Sequence, residues 1–116
     1  MTYKQIATML SNTGIPFAYY QFPEGTAQAC PFICFYFTQS NDLAADDTNY
    51  QKIRRLAIEL YTDNKDFVKE ETVENALNAN GLVYFREESY IDTERMNMVT
   101  YLTQVVITDE PPVVTT

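Results

Sequence analysis

Cys30 and Cys34 are the only thiols in the chain, and their spacing raises two chemistries, a metal site and a redox pair. An extended chain between them separates their Cα atoms by roughly 13 Å, well beyond the ~7 Å over which a disulfide can form. Two thiolates without a histidine or further cysteines do not complete a zinc site. Both are therefore expected as free thiols packed in a core. The chain has no histidine, which removes the usual general base, the commonest metal ligand and every Ser–His or Cys–His nucleophile arrangement. Gly14, Gly25 and Gly81 lie far apart and at turns, so no phosphate-cradling loop is possible. Carboxylates remain. Glu70-Glu71 and Glu87-Glu88 are sequence neighbours, and on a helix or a strand such neighbours point apart. Asp42, Asp46 and Asp47 share one polar segment without the regular ligand spacing of a calcium loop, so they read as solvated. Asp66, Glu70, Glu71 and Glu74, against Lys69, read as the solvated face of a helix. The inventory implies no cofactor, no metal and no enzyme.

The overall charge narrows the partners. Sixteen acids against eight bases give a formal charge of −8, and the basic residues do not cluster beyond Arg54-Arg55. Phosphate binding needs such clusters, so independent affinity for nucleic acid or anionic lipid is not expected. No run approaches the ~18 apolar residues of a membrane span. Met1-Thr2-Tyr3-Lys4 lacks the basic-then-apolar order of a signal peptide, which points to synthesis and use in a cytoplasm.

The elements that must position these residues follow from local signals. Thr2 and Gln5 fit a capping box. Tyr3, Ile6, Ala7 and Leu10 recur at helical spacing until Asn12-Thr13-Gly14 and Pro16, predicting a helix over 3–12. Phe17 to Phe22 is aromatic-rich and ends at Pro23-Glu24-Gly25, a strand followed by a turn. Pro31 to Phe37 is an unbroken apolar run suited to a central strand. The polar stretch 38–49 reads as a long exposed loop, and loops of that length are often functional. Segment 50–62 is ambiguous: Ile53, Leu56, Ala57, Leu60 and Tyr61 make a helical stripe, while Leu56, Ile58 and Leu60 alternate as in a strand. Asp63 or Asn64 can cap a second helix over 66–79, with Val73, Ala76 and Leu77 inward and Asn80-Gly81 as its stop. Residues 82–91 and 96–108 are two strands joined through Asp92-Thr93-Glu94-Arg95 as a hairpin. Residues 110–116 read as a mobile tail. The expectation is one α+β domain over 1–109, mostly antiparallel, in the order α-β-β-β-α-β-β.

Tyr19, Tyr20, Tyr36, Tyr50, Tyr61, Tyr84, Tyr90 and Tyr101 all lie on or beside expected strands. Strand propensity accounts for most of this, and some could instead form an interface, where aromatic residues are enriched.

Two stretches carry a family resemblance. Glu59-Leu60-Tyr61-Thr62-Asp63-Asn64-Lys65-Asp66, entering a helix with Glu70 and Glu71, resembles a segment of the tail terminator proteins of long-tailed bacteriophages and prophages. Ser89-Tyr90-Ile91-Asp92-Thr93-Glu94-Arg95-Met96, followed by Val99-Thr100-Tyr101, resembles that family's C-terminal hairpin. The element order over roughly residues 2–108 agrees; the acidic insert 38–49 and the aromatic strand before it have no counterpart. The resemblance implies a strand at 50–62 and a virion protein, assembled in the host cytoplasm, that caps the tail tube as a hexameric ring. Its implied partners are further copies of itself, the major tail tube protein and a head-completion protein. DNA passes through the ring without specific binding, and Asp42, Asp46 and Asp47 are expected near that passage or on the tube-facing rim.

A ring needs two different surfaces on each copy. The candidates are Arg54, Arg55 and Tyr61 on one side and Glu87, Glu88, Tyr90, Glu94, Met96 and Met98 on the other, with the glutamates pairing the arginines of the next copy. Two other classes compete, another head–tail joining protein and a small acidic inhibitor of a basic enzyme surface.

Overall fold

A computed structural model describes residues 1–20, 29–40, 43–45 and 49–109. Its elements are α1 (Tyr3–Ser11), β1 (Phe17–Tyr19), β2 (Phe32–Ser40), β3 (Leu43–Ala45), β4 (Asn49–Thr62), α2 (Phe67–Ala79), β5 (Tyr84–Ile91) and β6 (Met96–Ile107). This is the expected α+β order with one short strand added.

The capping box forms as the sequence implies: Thr2 Oγ1 accepts from the Gln5 amide at 3.1 Å, and Gln5 Oε1 accepts from the Thr2 amide at 2.8 Å. Gly14 and Gly81 follow the two helices with φ of +73° and +70°, the left-handed conformation that lets a chain leave a helix with its last carbonyls satisfied. Neither Asp63 nor Asn64 caps α2. Asp66 does, because it is the residue left in extended backbone beside the first turn, and its carboxylate accepts from the Lys69 amide at 3.0 Å. Leu82 belongs to the end of α2 rather than to β5, its amide donating to the Leu77 carbonyl at 3.0 Å.

The strands form one sheet in the order β1-β2-β4-β6-β5, with β3 paired to β4 off that path. Only β1 and β2 run parallel; the other pairs are antiparallel. Segment 50–62 is strand, because β4 is hydrogen-bonded to β2 on one side and β6 on the other. Its apparent helical stripe arises because both its faces are apolar where neighbours cover them, Ala57 as well as Leu56, Ile58 and Leu60 being buried. The long loop expected at 38–49 is corrected: β2 continues to Ser40, Leu43–Ala45 forms β3, and β4 begins at Asn49. Backbone pairing needs no apolar side chains, so a polar sequence did not reveal it. The expected first strand is described only as Phe17–Tyr19, ending where Tyr20 turns to positive φ; Gln21, Phe22 and the turn after them lie outside the described residues, as does 110–116.

Both helices lie on one face of the sheet. Ile6, Met9 and Leu10 of α1 and Val73 and Leu77 of α2 meet Ile33, Leu56, Ile58, Leu60, Val99 and Tyr101 in the core. Burying each such side chain contributes about 1.5–3 kcal/mol. Ala76, expected inward, is only partly buried. The chain start is tied to β6: the Met1 amine donates to the Val106 carbonyl at 2.6 Å, and the Thr108 amide to the Met1 carbonyl at 3.1 Å.

Candidate functional site

Strand alternation sends every second side chain away from the helices. On that outer face stand Phe32, Cys34 and Tyr36 of β2, Arg55, Ala57, Glu59 and Tyr61 of β4, and Met96, Met98, Thr100 and Leu102 of β6, by the register that pairs Tyr61 with Met98 and Glu59 with Cys34 and Thr100. No helix among the described residues covers it. At one end Phe32 stacks on Tyr61, ring centroids 4.7 Å apart and 15° from parallel. Met98 lies across from Tyr61, and Met96 across from Ile91. The sequence candidates Tyr61, Met96 and Met98 are thus brought together as one apolar stripe; Tyr90, across from the buried Asn97, is on the other face with Glu88, and Glu94 is exposed in the turn between β5 and β6.

Glu59 is at the centre of this face. Its two carboxylate oxygens accept from the Tyr36 hydroxyl at 2.9 Å and the Tyr61 hydroxyl at 2.8 Å. Burial, then the hydrogen bond to Glu59, pushes the Tyr36 phenol up to about 12, and the same causes raise Tyr61 further. Both phenols stay protonated donors at neutral pH. Sequence reasoning passed over Glu59; its alternation with Ala57 and Tyr61 was the available signal.

Arg54 and Arg55 lie in the middle of β4, across from Val105 and Gln104. Six residues of strand separate Arg55 from Tyr61, about 20 Å. Arg55 therefore shares the outer face with Tyr61 at that distance, while Arg54, one residue earlier, alternates to the helix side across from the buried Val105. Glu87 is exposed, opposite Thr100. Glu88 is on the helix side and is engaged within its own chain: Lys65 Nζ is 2.7 Å from Glu88 Oε1, and Arg86 is 3.3 Å from it. The hydrogen bond from Lys65 holds the Glu88 carboxyl below its usual range.

That pairing is part of a larger cluster that corrects the expected solvated face of α2. Glu70 is 3% exposed, held by Lys65 at 2.8 Å and by Arg86. Glu74 accepts from the Tyr101 hydroxyl at 2.8 Å, with Arg86 3.9 Å away. Burial pulls the Lys65 ammonium down, and the hydrogen bonds to Glu70 and Glu88 outweigh it, leaving it raised. Burial also pushes the Tyr101 phenol up, with Glu74 adding to the effect. Asp66 is the helix cap, and Glu71 alone of the four acids is fully exposed. The cluster locks α2 to β5 and β6. Among the described residues no three His, Cys, Asp or Glu side chains group as metal ligands. Cys30 and Cys34 are both free, Cys34 buried and Cys30 partly so. Asp42, Asp46 and Asp47 lie outside the described residues.

No protein-family model matches the chain, and no curated protein does. Among solved structures, a chain from the virion of a native gene transfer agent particle is similar, with a TM-score of 0.57 and 14% identity over 90% of each chain. At that identity the likeness is one of fold, and it extends over nearly the whole of both molecules.

Proposed function

We propose that the chain is a non-enzymatic structural protein of a phage-type virion, a tail terminator that closes the tail tube as a hexameric ring. The observation that carries the reading is the fold likeness, over 90% of both chains, to a component of a gene transfer agent virion. The terminator-like stretches at 59–66 and 89–101 refine it. The aromatic and methionine-lined sheet face, which no helix covers among the described residues, supports it, because such side chains favour contact with another protein. So does the separation of Arg55 from the stripe of Tyr61 and Met98, since head-to-tail contact in a ring uses two different patches. In this reading Asp42, Asp46 and Asp47 face the DNA passage or the tube rim, where negative charge repels phosphate. The partners are neighbouring copies, the tail tube protein and a head-completion protein.

The test is tail assembly with and without this chain, followed by electron microscopy. Without it, tubes of uncontrolled length that fail to join heads are expected. Uniform tails joined to heads in its absence would overturn the reading. Uniform but headless tails would move the protein to the head-joining step.

A further inference from the structure

Two pairs of large apolar side chains stand uncovered at opposite ends of α2. Phe67 and Val68, its first residues, are each 72% exposed, while Val83 and Phe85, just past its end, are 85% and 77% exposed. A helix of 13 residues is about 20 Å long, so one copy cannot lay the first pair on the second.

The two patches differ in shape and in charge. Phe67-Val68 is a protruding turn. Glu71, exposed, shares its helical face, four residues on from Phe67 and three from Val68. Asp63 is exposed in the bend just before. Lys65 Nζ is 4.9 Å from the Phe67 ring, but its charge is matched by Glu70 and Glu88. The other patch is a cleft of about 690 Å³ lined by Val83, Phe85 and Leu102, with Arg55, Arg86 and Glu87 as its charged residues. Arg55 is exposed and forms no ion pair among the described residues. β5, which forms one wall, is the last strand of the sheet among the described residues.

We propose that the Phe67-Val68 turn of one copy seats in the Val83–Phe85–Leu102 cleft of the next, with Glu71 opposite Arg55. The inference rests on the ring reading and deepens it by assigning the contact. A second copy is the occupant because it brings a matching apolar pair and an acid for Arg55, which has no ion-pair partner among the described residues. Contact between unlike patches also propagates around a ring instead of ending at a dimer.

Sedimentation of the full-length chain over a range of concentrations, up to the highest that remains soluble, tests it. Arg55→Glu and Glu71→Arg should each weaken self-association about tenfold or more, and the two reversals together should recover most of the loss. Phe67→Ser and Phe85→Ser should each remain monomeric alone. Mixed, they should stop at a dimer, because the mixture retains one good turn and one good cleft. These positions are exposed, so unchanged thermal unfolding separates lost contact from lost fold. Oxidation of Val68→Cys/Val83→Cys in a Cys30→Ser background should give a covalent ladder. Association that survives all four single changes overturns this contact while leaving the ring intact. A chain that stays monomeric at every concentration and gives no 68–83 link also overturns it, and the tail-assembly assay then judges the end-cap reading separately.

Discussion

The hydroxyl of Tyr101, in the middle of β6, donates to the Glu74 carboxylate of α2 at 2.8 Å. The helix is thereby fastened to the sheet by a charge-assisted bond at the edge of the core. Removing either partner should cost about 1–3 kcal/mol, the range for hydrogen bonds to charged groups. Glu74→Ala should cost more than Tyr101→Phe, since it leaves a buried hydroxyl with only the distant Glu70 carbonyl, 3.4 Å away. Urea unfolding midpoints of the two variants check this.

Leu77 is fully buried against both layers of the core. Leu77→Ala should destabilise by about 2–5 kcal/mol, while the exposed Glu71→Ala should change stability by less than about 0.5 kcal/mol. Equal shifts in the unfolding midpoint would mean that the inward face of α2 is misplaced.

Alkaline pH should unfasten the outer face. Tyr36 has its folded pKa raised to about 12 from an ordinary value near 10, so the folded state holds its proton more tightly. The stability this provides is present below pH ~10 and is lost as pH rises toward about 12. Tyr61 is raised in the same direction. Unfolding midpoints measured from pH 9 to 12 should fall for the native chain and fall less steeply for Tyr36→Phe.

The cysteines should behave differently from one another. Alkylation of the unreduced, denatured protein should modify both, since neither is in a disulfide. In the folded protein Cys30 should react first, and slowly, because burial and then Asp63 push its thiol up. Cys34, buried on the outer face beside Glu59, should be protected. Mass spectrometry of a labelling time course reads the order directly.

Much of this fold is legible where cause and effect lie close together in the chain. Thr2 and Gln5 satisfy each other within one turn, and the hairpin of β5 and β6 needs only four connecting residues. The segment 50–62 is ambiguous because Ala57, on the outer face, is as buried as Leu56, Ile58 and Leu60 under the helices, so no single alternating stripe marks the strand. Glu70 and Glu74 were misread for the same reason. Their i, i+4 spacing looks solvated until Arg86 and Tyr101, far along the chain, are placed over them. Glu59 was overlooked because its partners, Tyr36 and Tyr61, look like ordinary strand aromatics until the register brings both hydroxyls to one carboxylate.

The two-sided pairing of β4 has a mechanical consequence. A pull along its axis loads the hydrogen bonds to β2 and β6 in parallel, so many must fail together. β5, held on one side only, can instead be unzipped bond by bond. In the proposed tube closure, β4 is the tensile member and β5 the seam. The Lys65–Glu70–Arg86 cluster is the stitch across that seam, so cutting it with Glu70→Gln should lower the force at which the sheet opens before it alters the shape of the resting molecule.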